Sequence, residues 1–400
     1  MKLKKFSQII YENDKLGQEL TNSSFDIGII SNITVHQIKD PLEFGLRSKG
    51  INARVDFGDY DNIVQDSVRF NNKKVVFIFW ELANLLDNFS DKIETLDAKN
   101  LEILIQRFEA EVDYVLHQLK TVPLVIFNRF STFFSSRNKL VFGNADKLSG
   151  RLNLILERAE NNSLISPDID RIIAAIGFDS AFDRRLFQIS KAPYTLDFIL
   201  EYVSVVQPGI LPIAGYTKKV LVLDCDNTLW GGVVGEDGLT GIEIGTDSRK
   251  GKIFYNIQER ILALKKRGVM LVLASKNNLE DVLEVLDEHP HCVLSAGDFV
   301  GKKINWSNKD SNIIELSKEL NVGLDSFVFL DDSKFEIEMV ANNVPHVDCV
   351  LVPSNLTEYS DVFGEIEMYF FATSLTAEAE SRASMYLDEQ KRLSTKNKWE

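Results

Sequence analysis

The stretch Leu221-Val222-Leu223-Asp224-Cys225-Asp226-Asn227-Thr228-Leu229-Trp230-Gly231-Gly232 decides the reading of this chain. Lys219 to Leu223 reads as a strand, and it runs straight into two acids two residues apart. That spacing puts Asp224 and Asp226 on one side of the backbone. It also puts them at the carboxyl end of the strand, where open α/β sheets bind ligands. One carboxylate can then serve as nucleophile and the other as acid/base, because an aspartyl-phosphate is itself reactive and divides one hard displacement into two easier ones. Two carboxylates facing a phosphate require a cation, and Mg²⁺ takes a few oxygen ligands together with water and phosphate oxygens.

A third acid must come from another strand. Phe329-Leu330-Asp331-Asp332-Ser333 supplies it, a second apolar strand that ends in acids. Between the two, Leu271-Val272-Leu273-Ala274-Ser275-Lys276-Asn277-Asn278 ends a strand in a hydroxyl and a lysine suited to phosphate oxygens. Lys309, ahead of a helix, adds a fixed positive charge. A lone DxD after a strand is more often a turn, and Asp331-Asp332 alone fits a loop or a helix cap. The order and chemistry of the four strand ends favour one site over four coincidences.

Outward from this core, the chain alternates strand-like and helix-like segments. Before it, Phe25 to Ser31, Ile51 to Phe57, Val75 to Phe79 and Val122 to Asn128 read as strands. Lys99 to Leu119, Lys147 to Asn161 and Thr195 to Val206 read as helices. After it come helix Gly251 to Arg267, strand Val269 to Ala274, helix Leu279 to Glu288, strand Cys292 to Ser295, helix Asp310 to Leu320 and strand Ser326 to Leu330. Such alternation predicts βαβ units and mainly parallel sheets. The densest punctuation, Gln207-Pro208-Gly209-Ile210-Leu211-Pro212-Ile213-Ala214-Gly215, marks a domain boundary. The expected organisation is α/β throughout, in two three-layer domains: 1–207, a linker at 208–217, a Rossmann-like parallel sheet over 218–353, and a helical tail at 354–400 anchored by Tyr369, Phe370 and Phe371.

Composition agrees with this plan. The 400 residues are 44% hydrophobic, enough for two cores. A net charge of −14 would repel nucleic-acid backbones and anionic lipid, so neither is an expected partner. A small phosphorylated substrate remains compatible, since a metal ion and local lysines reverse the field within one cleft. Cys225, Cys292 and Cys349 are odd in number and widely spaced, which fits a reducing compartment and supplies no zinc site. Phe6 to Ile10 is too short for a signal-peptide core, and Val75 to Trp80 falls far short of the roughly 20 residues of a membrane helix. A cytoplasmic protein is expected. His36, His117, His289, His291 and His346 form no pair at metal-ligand spacing.

Asp224-x-Asp226-x-Thr228, Ser275, Lys309 and Asp331-Asp332 resemble motifs I to IV of the haloacid dehalogenase (HAD) superfamily. DCDNTLWGGVVGEDGLTGIEIG from Asp224, SKNN from Ser275, Trp306, and FLDDS followed by Phe335-Glu336-Ile337-Glu338 resemble its FkbH-like, type IIIC branch, over about 218–353. The resemblance implies that Asp224 is nucleophile and metal ligand and that Asp226 is acid/base with its carbonyl on Mg²⁺. It further implies that Asp331 is the remaining ligand, that Asp332 supports the site, and that Ser275 and Lys309 bind phosphate. Asn227, Thr228, Lys276 and Asn277 join them as candidate substrate contacts.

FkbH-like enzymes take glycerate from 1,3-bisphosphoglycerate, remove phosphate and load the glyceryl unit on an acyl carrier protein, which makes such a carrier the expected partner. Some carry cysteine where Ala274 stands, so Cys225 is the nearby thiol for any acyl shuttle. A simple Mg²⁺ phosphatase and a non-enzymatic scaffold are the alternatives. The intervals between Asp226, Ser275 and Lys309 leave no room for a large cap, and an open mouth is expected.

The first domain resembles SGNH hydrolases, with Ile29-Ile30-Ser31-Asn32 in place of their nucleophile turn. A serine hydrolase needs an imidazole to take the hydroxyl proton, and no histidine stands around Asp179 to Pro193, where that family carries it. A docking or lid role is expected there.

Overall fold

In the computed structural model, residues 5–86, 89–133, 141–161 and 163–371 are described. The chain divides into two units, Met1–Gly215 and Tyr216–Glu400. Each is built on its own five-stranded sheet in which all named pairings are parallel.

In the first unit the strands are β1 (Phe25–Ser31), β2 (Ala53–Phe57), β3 (Val75–Phe79), β4 (Leu124–Phe127) and β5 (Leu164–Ile165), in the order β2-β1-β3-β4-β5. Alternate residues of each strand feed opposite cores. Ile27, Ile29, Phe77, Phe79, Leu124 and Ile126 face helices Lys39–Arg47, Ile169–Ile176 and Leu196–Ile210, while Ile30, Val76, Ile78, Val125 and Phe127 face Ala98–Gln118 and Asn144–Ala159. Burial on both faces is why these strands read as continuous apolar runs. Burying each such side chain contributes about 1.5–3 kcal/mol before entropy is subtracted.

The division between the units falls at Gly215, the last residue of the punctuated segment, but the first part of that segment is helical rather than a linker. Helix Leu196–Ile210 continues through Pro208 and Gly209, a 3₁₀ turn Leu211–Ala214 follows, and Gly215 caps it in the left-handed conformation at φ 87°. Pro208 is tolerated because the tertiary contacts of Val206 and Ile210, both in the core, hold the last turn. By length and composition Leu196–Ala214 is apolar enough to cross a membrane. Phe198, Ile199, Tyr202, Val203 and Ile210 are instead fully buried in the core of the first unit.

The second unit comprises β6 (Val220–Leu223), β7 (Met270–Ser275), β8 (Phe299–Ile304), β9 (Phe327–Asp331) and β10 (Asp348–Leu351), ordered β10-β9-β6-β7-β8. The first strand in sequence is central, between β7 and β9, so the crossovers change direction beside it and open a crevice at the carboxyl ends. Only helices Val234–Gly241 and Arg249–Lys266 separate β6 from β7, and Leu279–Glu288 is the α-helix between β7 and β8, so there is no large cap.

Two sequence assignments in this unit change. Cys292 to Ser295 is not a strand: its backbone bonds to the side chain of Gln258, and Ser295 pairs with Asp298 around a short turn. The strand comes next, at Phe299–Ile304, and Gly301 within it leaves room for Leu316, which an added Cβ would meet at 2.7 Å. The segment after 353 is helical as expected: helix Tyr359–Tyr369 buries Tyr359, Phe363 and Ile366 against Phe254, Ile257 and Ile261, and Tyr369 and Phe370 pack on the same core. The remainder of the expected tail, 372–400, lies outside the described residues.

Candidate active site

The carboxyl ends of β6, β7 and β9 and the amino end of helix Lys309–Leu320 converge on one point. Asp224 follows β6 directly, with its N–H donating to the Leu330 carbonyl at 3.1 Å, so β9 fixes where it leaves the sheet. Asp331 ends β9 and is wholly buried. Lys309 Nζ bridges the two acids, 2.7 Å from Asp224 Oδ1 and 2.5 Å from Asp331 Oδ2. Carboxylate oxygens of Asp224, Asp331 and Asp332 lie within 4.8 Å of one another. Asp332, expected only to support the site, is thus a full member of the acidic cluster.

The electrostatics reflect this crowding. Burial, and then the charge of Asp224, push the Asp331 carboxyl upward against the pull of Lys309. Asp332 is raised for the same two reasons. Burial opposes the charge on Lys309, but Asp224 and Asp331 together outweigh it and hold its ammonium above the ordinary lysine range. Three carboxylates around one lysine leave an excess of negative charge that favours a cation. The donors are all oxygens, which suits a hard divalent ion, so the residues fit Mg²⁺.

Asp226 is placed differently from that trio. Its Oδ1 accepts from Trp230 Nε1 at 2.9 Å and from the Val234 N–H at 3.1 Å, and its Oδ2 accepts from Asn277 Nδ2 at 2.8 Å. Three donors therefore fix the orientation of its carboxylate. The intervening turn needs Asn227 at φ 52° and Gly232 at φ 96°, and Asn227 Oδ1 ties the two by accepting from the Gly232 N–H at 3.0 Å. Asn and Gly are the residues that adopt this conformation at least cost.

Thr228 is fully buried, its Oγ1 has no hydrogen-bond partner among the described residues, and its carbonyl accepts from Tyr359 Oη at 2.9 Å. Ser275 is buried at the tip of β7, and its carbonyl receives the Asn305 N–H. Asn277 is buried beside Asp226. Lys276 is held by Glu336, Nζ to Oε1 at 2.7 Å, rather than ranging in solvent. Cys225 is fully buried, and burial and then the Asp224 charge push its thiol well above the usual range. Exposed apolar side chains follow three strands in turn on the carboxyl-end side: Leu279 after β7, Trp306 after β8 and Phe335 after β9.

Sequence reasoning missed Trp230 and the Val234 N–H as partners of Asp226, Glu336 as the anchor of Lys276, and Tyr359. Glu336 carries the one readable signal, an acid just past the LDDS run. Tyr359 carries none, lying 131 residues from the carbonyl it reaches.

In the first unit, Ser31 Oγ donates to the Ile33 carbonyl at 2.7 Å. Asn32 turns its amide onto the backbone of Glu81. His36 stacks on Phe57 with ring centroids 4.4 Å apart.

A central strand ending in spaced acids, flanked by strands that bring a third acid and a hydroxyl, defines the second unit as a HAD-like α/β fold. Over 93% of its length the chain is similar to a crystal structure described as the N-terminal part of protein BF1531 from Bacteroides fragilis, containing a phosphatase domain complexed with Mg. The TM-score is 0.80 at 24% identity, and all of that chain is covered. The likeness establishes a shared fold through both units. An uncharacterised protein from Corynebacterium glutamicum is aligned over 38% of this chain and 94% of its own, at 17% identity and a TM-score of only 0.25. No protein-family model and no curated protein matches the chain.

Proposed function

We propose that the second unit is a Mg²⁺-dependent phosphoryl-processing centre acting through Asp224. The observation that carries this reading is the cluster of Asp224, Asp331 and Asp332, within 4.8 Å and bridged by Lys309. The Mg²⁺ bound by the relative from Bacteroides fragilis supports the choice of ion. Asp224, Asp331 and Asp332 would hold it, and when bound it supplies positive charge that offsets the anionic phosphate.

The chemistry of the chain's own residues follows from their placement. An Asp224 oxygen attacks phosphorus, forming one O–P bond as the bond to the leaving oxygen breaks. Asp226, oriented by Trp230, Val234 and Asn277, gives that oxygen a proton and later takes one from the water that hydrolyses the aspartyl-phosphate. Lys309 stays protonated through the cycle and balances charge on Asp224 and the phosphate. Ser275, Asn277, Asn227, Thr228 and Lys276 complete the walls around the phosphate.

The finer reading is that Asp224 removes the phosphate ester of a substrate such as 1,3-bisphosphoglycerate, while its acyl phosphate hands a glyceryl or related acyl unit to the thiol of an acyl carrier protein in the cytoplasm: the thiol sulfur attacks the acyl carbon, the C–S bond forms as the C–O bond breaks, and phosphate leaves. The short intervals around the site and the apolar rim of Leu279, Trp306 and Phe335 support a substrate borne on something bulky. Phosphate release from acetyl phosphate should require Mg²⁺ and vanish in Asp224→Asn. Incubation with bisphosphoglycerate and holo carrier protein should then add one glyceryl mass to the carrier. Release without any transfer would leave a simple phosphatase, and no release from any phosphorylated compound would sink both readings.

A further inference from the structure

Lys276 and Glu336 belong to opposite neighbours of the central strand. Lys276 follows β7 directly, and Glu336 lies in the first turn of helix Lys334–Asn343, which follows β9. Because β7 and β9 flank β6, they stand two strand spacings apart, about 10 Å. Lys276 Nζ nevertheless meets Glu336 Oε1 at 2.7 Å. The two side chains therefore reach toward each other across the carboxyl end of β6, on the edge where Asp224 leaves the sheet.

Both ends of this link are tied to the site. Lys276 stands between Ser275, buried at the tip of β7, and Asn277, whose Nδ2 donates to Asp226 Oδ2 at 2.8 Å. Glu336 is tied through Ser333: Asp331 Oδ1 accepts from the Ser333 N–H at 2.8 Å, and Ser333 Oγ accepts from the Glu336 N–H at 3.4 Å. The carboxylate is buried while the lysine side chain is 32% exposed, so the ammonium lies on the outer side of the pair. An ammonium has three donors, and Glu336 takes one of them. Lys309, buried between Asp224 and Asp331, lies deeper.

As a source of stability the pair is poor. Glu336 Oε2 is buried and has no hydrogen-bond partner among the described residues, an uncommon and costly arrangement. An apolar side chain of similar size would suit the position better. What the carboxylate provides is order. A free lysine samples many rotamers, and fixing one only when a ligand arrives weakens binding about two- to tenfold.

We propose that Glu336 is a positioning residue for substrate binding: it holds the Lys276 ammonium across the mouth of the site, already placed for the outer oxygens of the phosphate. This rests on the reading of the second unit as a phosphoryl-processing centre. Glu336 also repels an anion, but it stands behind the ammonium and farther from the phosphate, so the nearer cation outweighs it. The two lysines then differ in role. Lys309 acts beside Asp224, whereas Lys276 lies farther out, meets ground state and transition state alike, and lowers KM more than it raises kcat.

The test compares Lys276→Met, Glu336→Met and the double variant as full chains with Mg²⁺, by acetyl phosphate kinetics and by calorimetric titration with inorganic phosphate. KM and the phosphate dissociation constant should rise about tenfold in Lys276→Met and about fivefold in Glu336→Met, with far smaller changes in kcat. The double variant should be no worse than Lys276→Met, since Glu336 acts through that lysine. Glu336→Met should melt no lower than the wild type, whereas a merely structural pair would lose stability and keep its KM. If Glu336→Met fails to fold by circular dichroism, Glu336→Gln takes its place with the same expected direction. A folded Glu336 variant whose KM is unchanged or lower overturns the inference and leaves the phosphatase reading standing. Phosphate binding that follows the expected pattern without turnover supports the inference and sinks that reading, and a wild type that neither binds nor releases phosphate overturns both.

Discussion

The ammonium of Lys309 lies 2.7 Å from Asp224 Oδ1 in a setting where neither side chain is more than 7% exposed. Removing one partner of a buried ion pair leaves the other charge uncompensated, at a cost of about 3–5 kcal/mol. Lys309→Met should therefore lower the urea midpoint of the second unit and abolish phosphate release. Because an added cation would neutralise the stranded acids, Mg²⁺ should recover part of the stability and none of the activity. An unchanged midpoint would mean that the pair contributes nothing.

Asp226→Asn should separate orientation from proton transfer. The amide keeps the size of the carboxylate, so folding changes little, while loss of acid/base help costs about 10²- to 10⁴-fold in kcat. The loss should be far smaller with p-nitrophenyl phosphate, whose leaving group needs no proton, than with an alkyl phosphate. Equal losses with both substrates would argue against a proton-transfer role.

Metal dependence should follow the acidic trio. Mg²⁺ should raise the melting temperature of the wild type, and EDTA should reverse the gain. The gain should shrink in Asp331→Asn and in Asp332→Asn, the latter because its oxygen belongs to the cluster. A full response in Asp332→Asn would return that residue to a supporting role.

The first unit should lose stability as pH rises. Burial holds the folded Glu81 carboxyl at about 7, against 4.5 for the free group. A raised carboxyl stabilises the folded state fully below 4.5, and that contribution is lost as pH climbs through about 7, amounting to a few kcal/mol. Urea titrations of the first unit's transition at pH 5, 6, 7 and 8 should show the decline, and Glu81→Gln should flatten it. A wild-type profile as flat as the variant's would contradict the assignment.

Tyr359→Phe removes one buried hydroxyl and leaves the Thr228 carbonyl unpaired, which should cost about 1–3 kcal/mol. Truncation after Pro353 should do far more, since it strips Tyr359, Phe363, Ile366 and Phe370 from the core. Calorimetry of the two variants should rank them in that order.

What the sequence disclosed follows from burial. β1, β3 and β7 are covered on both faces, so their unbroken apolar runs located them to within a residue. β8 escaped because Gly301, Lys302 and Lys303 break the apolar pattern, whereas Cys292 to Ser295 has the composition of a strand but spends its backbone bonds on Gln258. β10 is short and begins with Asp348, and no residue of it is fully buried. In the site, Asp224 and Asp331 were readable because an acid at the tip of an apolar strand needs a reason. The restraints on Asp226, Lys276 and Thr228 were not. Glu336 reaches Lys276 across 60 positions and Tyr359 reaches Thr228 across 131, and only the folded crossovers make those neighbours.

Burial works against thiol chemistry at all three cysteines of this molecule. Cys225 is sealed into the floor of the site, and burial drives the thiols of Cys292 and Cys349 up to about 11, leaving almost no thiolate at neutral pH. Peroxide and disulfide exchange act through the thiolate, so the chain should work alike in oxidised and reduced surroundings.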